Sequence, residues 1–120
     1  MITDNLRDWL ALQMYTELGS AQGDLGLGGN STNPASNTLD VPLSQTSNIT
    51  VTKAVVENTV EVKLTMNNAG SFIAGKVIRE AGVFDTTETP DQMWIRESFE
   101  GIGPFSTTER LEITFIVEVE

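Results

Sequence analysis

The sequence predicts a mainly β domain: a small antiparallel β-sandwich with one N-terminal α-helix and a long Gly-rich loop. Apolar residues recur every four positions near the N-terminus, a Gly-, Pro-, Ser- and Asn-rich stretch follows, and from Ile49 the apolar period drops to two. At 120 residues the chain has the length of a single domain, expected to span 1–120 with a helix at 4–18, an extended loop or arm at 19–48 and a sandwich at 49–120.

The helix rests on Leu6, Leu10, Met14 and Leu18, a row at i+4 spacing that Trp9 widens, with Arg7, Asp8 and Thr16 opposite. Thr3 or Asp4 is placed to accept the free amide hydrogens of the first turn, and Gly19 to supply a left-handed stop. The stripe has two outlets: packing on its own domain, or docking on a neighbouring subunit.

Residues 19–48 carry Gly19, Gly23, Gly26, Gly28, Gly29, Pro34 and Pro42 among many Ser, Thr and Asn, which is loop composition. A loop this long is unusual inside a compact domain and is expected to be held from outside the chain. That makes Leu25, Leu27, Leu39 and Val41, with Leu6, Trp9, Leu10 and Met14 of the helix, the candidate assembly residues. The run Gly23-Asp24-Leu25-Gly26-Leu27-Gly28-Gly29 resembles a phosphate cradle only in its glycines, since no strand is expected before it, no helix after it, and no Lys is near.

From Ile49 onward, Ile49, Val51, Lys53 and Val55 alternate with polar residues, and Val60, Val62, Leu64 and Met66 do so after Glu57-Asn58-Thr59, which reads as a β-hairpin. A strand at 76–84 places Val77, Arg79, Ala81 and Val83 on one face and Ile78, Glu80, Gly82 and Phe84 on the other. Apolar residues on both faces call for cover on both, and a charge so covered must be paired. Another strand follows at 93–99 around Met93, Trp94, Ile95 and Phe99. In the last, Leu111, Ile113, Phe115, Val117 and Val119 alternate with Glu112, Thr114, Ile116 and Glu118. Five strands with polar turns make the sandwich.

Seven Lys+Arg stand against seventeen Asp+Glu, a net charge of -10, which repels phosphate backbones and anionic membrane surfaces. Neither a nucleic-acid partner nor membrane insertion is expected. Without Cys or His the chain has no thiolate or imidazole metal site, no Cys nucleophile and no Ser-His-Asp triad. No enzymatic activity, cofactor or metal site is expected. A carboxylate pair such as Glu80 with Asp85 or Glu97 is the nominal route to glycoside hydrolysis, but the eight aromatics are spread along the chain and do not line a sugar cleft. The loop Asp85-Thr86-Thr87-Glu88-Thr89-Pro90-Asp91 has oxygen ligands for Ca²⁺ without the spaced Asp/Asn-Gly pattern of a dedicated calcium loop. Arg79 and Glu80 adjoin and face opposite ways, so Arg79 or Arg96 is expected to pair with a Glu on a neighbouring strand. The acidic surface, with only three Lys, suits a salt-loving host, because salt screens the mutual repulsion of carboxylates.

The stretch Gly75-Lys76-Val77-Ile78-Arg79-Glu80-Ala81-Gly82-Val83-Phe84-Asp85, followed by Met93-Trp94-Ile95-Arg96-Glu97-Ser98-Phe99, resembles virion proteins of tailed viruses that carry an R-E-x-G-x-F-D strand, a turn, and a strand with apolar residues and Arg. The order of elements is similar over most of the chain: helix, Gly-rich piece, an element of Thr32, Pro34, Thr38 and Leu39, long hairpin, motif strand, terminal alternating strand. The resemblance implies a non-enzymatic structural protein located in the virion, a tail, baseplate or fibre-attachment component that assembles with copies of itself and with other virion proteins. Arg79, Glu80, Gly82, Phe84, Asp85 and Arg96 are the residues that carry it. Because such proteins usually continue into shaft or receptor-binding segments whereas this sequence stops at Glu120, an adaptor, collar or capsid-appendage role is expected before receptor contact. A capsid decoration or vertex appendage is the structural alternative, and a carbohydrate-binding or calcium-dependent adhesion module is the alternative of another class, although among the aromatics only Phe105 of Gly101-Ile102-Gly103-Pro104-Phe105 falls on a loop.

Overall fold

The structure, a computed structural model, describes residues 1–29, 36–66, 72–87 and 91–120. Among the described residues, helix α1 (Asp4–Glu17) precedes six strands: β1 (Gln22–Gly26), β2 (Thr50–Val56), β3 (Thr59–Met66), β4 (Ile78–Asp85), β5 (Gln92–Ile102) and β6 (Leu111–Glu118). They form two three-stranded antiparallel sheets, β1-β4-β5 and β2-β3-β6, the small sandwich expected from the period-two segments.

Sheet β2-β3-β6 follows its sequence pattern closely. Val60, Val62, Leu64 and Met66 of the central strand are all buried, and Leu111 and Phe115 of β6 join them, while Glu112, Thr114, Ile116 and Glu118 face outward. Burying each such aliphatic side chain contributes roughly 1.5–3 kcal/mol. Glu57 and Asn58 form the two-residue turn between β2 and β3, with Glu57 at φ 54. Val119 catches that turn from β6, its N–H donating to the Asn58 carbonyl at 2.9 Å and its own carbonyl accepting from Asn58 Nδ2 at 3.0 Å. Lys53 is half-buried at an inward position, where its ammonium lies 4.2 Å from the centre of the Tyr15 ring and donates to the Tyr15 carbonyl, so the charge ties α1 to β2.

The helix lies where expected, but its orientation and its ends differ. Ala11 (0% exposed) and Leu18 form its buried side against β2 and β3, with Met14 and Tyr15 beside them, whereas Leu6, Trp9, Leu10 and Leu12 are exposed. The helix carries apolar residues on more than one side, and the side that packs on the sheet is the one with the small Ala11. Thr3 is the N-cap, but no side-chain bond caps the first turn. The C-terminus tightens into a 3₁₀ turn at Leu18–Ser20 instead of ending on a left-handed glycine, and the Ala21 N–H closes it on the Leu18 carbonyl.

The larger correction concerns residues 19–48. Gln22–Gly26 is a strand, paired with β4 in the register Gly23↔Val83, Asp24↔Gly82 and Leu25↔Ala81. Glycine conceals it in the sequence, yet glycine is what the position requires: a Cβ on Gly23 would stand 2.4 Å from Leu64 Cδ2 across the sandwich. Leu25 and Leu39 are buried within this chain, and Leu27 packs half-buried on its core, so these three are not free assembly contacts; Val41 is exposed. Segment 41–45 then runs along β1, with Leu27 N–H donating to the Val41 carbonyl and Leu43 N–H to the Leu25 carbonyl.

In β4 the simple alternation also fails at one point. The β4–β5 pairing shifts register between Ile78 and Glu80, so Ile78 joins the core with Ala81 and Val83, while Arg79 is exposed. Gly82 pairs directly with Arg96, and a Cβ there would sit 3.1–3.2 Å from Phe84, Leu39 and Met93. Phe105 lies between β5 and β6, outside the strands as expected, and is buried in the core, its carbonyl accepting from Gly75 N–H at 2.9 Å.

Candidate functional site

Beneath the segment that follows β1, the outer face of sheet β1-β4-β5 holds two buried carboxylates. Asp24 of β1 and Glu80 of β4 project from neighbouring strands, with Asp24 paired to Gly82 and Glu80 to Gly26. Glu80, 0% exposed, accepts three backbone hydrogen bonds: from Gly28 at 2.8 Å, Asp40 at 2.8 Å and Val41 at 2.9 Å. Asp24 accepts from Ser44 at 3.0 Å and Gln45 at 3.1 Å, which holds Ser44 in the left-handed region at φ 58. A buried carboxylate is tolerated only when donors replace its lost water, and here backbone amides do so.

Arg96 of β5 completes the charge balance. Its Nη2 lies 3.2 Å from Asp40 Oδ1 and 3.4 Å from Glu80 Oε1, while Nε and Nη1 are buried without a hydrogen-bond partner among the described residues. The expected cross-strand ion pair is therefore made by Arg96. Arg79 is exposed and forms no ion pair with a described residue.

Gly26 and Gly28 leave the space this arrangement needs: a Cβ on Gly26 would stand 2.5 Å from Glu80 Cγ, and one on Gly28 would stand 2.7 Å from Glu80 Oε2. The Gly-rich run thus surrounds an anion after all, but the anion is the chain's own carboxylate. With its oxygens engaged and no exposed surface, Glu80 is not placed to reach a glycosidic bond. Asp85 stands apart at the end of β4, where its Oδ1 accepts from Thr87 N–H at 3.0 Å and Thr87 Oγ1 at 2.7 Å; those bonds hold its carboxyl below the ordinary aspartate value. Phe84 is half-buried beside Leu39. Of the possible calcium loop, residues 88–90 lie outside the described residues, as do Thr32 and Pro34 of the resemblance. Among the described residues no cluster of three or more acidic side chains is placed to hold a metal ion, and no helix is long and apolar enough to cross a membrane.

A second feature lies on the opposite side of β5. Met14 and Leu18 of α1, Trp94, Ile95 and Arg96 of β5, and Val117 of β6 line an open cleft of about 460 Å³ whose walls are mostly apolar. Leu10 and Leu6 continue the Met14 row along the helix into solvent, and Trp9 beside them is 55% exposed. Of the residues chosen from sequence as assembly contacts, the structure leaves Leu6, Trp9, Leu10 and Val41 at the surface and brings Met14 to the cleft.

Sequence reasoning missed Asp24 and Asp40. Their partners are backbone amides and an arginine distant in sequence, which leave no local pattern. The one available signal was the coincidence of closely spaced glycines with a lone Asp. A comparison with protein-family models finds no match to this chain, and a comparison with curated proteins finds none either.

Proposed function

We propose that this chain is a non-enzymatic structural component of a tailed-virus particle, a tail, baseplate or fibre-attachment protein that assembles with copies of itself and with other virion proteins. The observation that carries the assembly reading is the exposed apolar side of α1, where Leu6, Trp9 and Leu10 stand in solvent although the helix already packs its Ala11 side on the sandwich. Monomeric proteins seldom leave adjacent large apolar side chains on one helix face without a use for them. The particle assignment is supported by the resemblance of the Arg79–Asp85 strand and of the order of elements. The Glu80 clip fits a structural role, since it spends its charged groups on holding a surface segment in one conformation.

Light scattering across a concentration series, at low and at multimolar salt, tests self-assembly. A defined oligomer is expected, and a strict monomer under all conditions would overturn that part of the proposal. Antibody labelling of purified particles tests the location: label confined to tails, baseplates or fibre attachments is expected, and unlabelled particles would overturn the virion assignment.

A further inference from the structure

We propose that the cleft between α1 and the β5–β6 edge receives a basic amphipathic segment of another protein, its apolar side chains on Met14, Trp94, Ile95 and Val117 and its Lys or Arg side chains over Glu17 and Glu97. This rests on the assembly reading and names the kind of partner that the surface fits.

Shape and polarity come first. The cleft holds about 460 Å³ between mostly apolar walls, with Met14 and Leu18 of the helix segment on one side and Trp94, Ile95 and Val117 on the other; Leu6 and Leu10, farther along the helix, belong to the self-assembly face. Helix-in-groove recognition uses apolar anchors of this kind.

Charge then selects the occupant. Glu17 follows Met14 by three positions and so lies beside it on the helix surface; Glu97 follows Ile95 by two and shares its face of β5. Both are exposed, and neither is in an ion pair with a described residue. Arg96, the basic residue of the lining, is already neutralised by Asp40 and Glu80. A second copy would bring another net charge of -10 against this rim, whereas a basic segment would meet a complementary one.

The test uses the chain carrying Trp9→Phe, in which Trp94 is the sole tryptophan and reports on the cleft. The probe is a synthetic helical peptide of about fifteen residues built from Leu and Lys at amphipathic spacing, compared with the same peptide carrying Glu for Lys. The Leu/Lys peptide should shift Trp94 emission saturably, and more weakly as salt rises from about 50 to about 500 mM; the Leu/Glu peptide should not. Reversing Glu17 and Glu97 together to Lys should weaken binding about tenfold, while reversing exposed Glu57 and Glu61, on the β2–β3 side, should change it by no more than about twofold. Equal loss from both double variants would reduce the effect to general acidity and overturn the site. So would the absence of a saturable shift, or a Trp94 shift driven by protein concentration alone, which would put a second copy in the cleft. Light scattering of the chain without peptide tests self-assembly separately, so the two readings can fail independently.

Discussion

Gly28 donates its backbone N–H to Glu80 Oε2 at 2.8 Å, and a Cβ on Gly28 would stand 2.7 Å from that same oxygen. The bond and the missing side chain are two aspects of one arrangement. The segment after β1 can wrap the buried carboxylate only because its backbone comes this close, and it comes this close only because the residue is glycine.

Glu80→Gln should therefore be far more damaging than its small change in shape suggests. The amide cannot accept with both of its terminal atoms, so a backbone donor loses its partner, and Arg96 loses one of its two carboxylates. Breaking a buried pair on one side costs about 3–5 kcal/mol. Denaturant melts should show a loss of that order, with faster amide exchange at Gly28, Asp40 and Val41. A loss below about 0.5 kcal/mol would mean that Glu80 contributes no more than a surface residue.

Gly28→Ala should destabilise by about 1–3 kcal/mol, the usual cost of forcing volume into a packed site. Gly75→Ala provides a useful contrast, because no described residue lies within 4 Å of a Cβ there while the backbone is at φ +73. Its cost is conformational, about 1–2 kcal/mol for a left-handed non-glycine residue. Double-mutant cycles with Glu80→Ala separate the two cases: truncating Glu80 should relieve part of the Gly28→Ala penalty, the rest coming from Asp40 Cβ at 2.5 Å, and leave that of Gly75→Ala unchanged.

Arg79→Ala and Arg96→Ala test which arginine of the motif region matters. Arg79 is exposed, so its loss should stay within about 0.5 kcal/mol. Arg96, with only 13% of its side chain exposed and both of its carboxylate partners partly or wholly buried, should cost several-fold more on removal. Thermal melts of the two variants side by side decide the order, and equal effects would overturn it.

Asp85 provides a pH-dependent reporter. Its hydrogen bonds from Thr87 favour the ionised form and lower its pKa from 3.8. A depressed carboxylate pKa gives a stabilisation of the turn that is present above the ordinary value and lost as pH falls through the lowered one. The Thr87 amide resonance should thus titrate with a midpoint below 3.8, and Thr87→Val should move that midpoint upward.

Replacing Trp9 and Leu10 by Ser and Lys should lower the thermal midpoint only modestly, because Trp9 is 55% and Leu10 39% exposed, and should reduce self-association in light scattering. Loss of the fold would show instead that these residues support the domain itself.

Much of this architecture is legible in the sequence because its physical cause is local. Alternation of apolar and polar residues sets the inward faces of β2, β3 and β6, since side chains on a strand point to opposite sides whatever lies beyond. Four-residue spacing sets α1 for a similar reason. The rotation of α1 is not local: more than one of its sides carries apolar residues, and the side that packs on β2 and β3 is the one with the small Ala11.

The tertiary structure alone decided β1 and the site on its outer face. Composition marks residues 19–48 as loop, because glycine has low strand propensity in isolation. Gln22–Gly26 becomes a strand because β4 offers an edge to pair with and Leu64 leaves room for no side chain at Gly23. The sequence by itself determined that Glu80, once covered, would need a partner. That its partners would be Arg96 and the amides of Gly28, Asp40 and Val41 depended on chain closure over as many as 52 positions, and backbone donors carry no residue signature by which a linear pattern could reveal them.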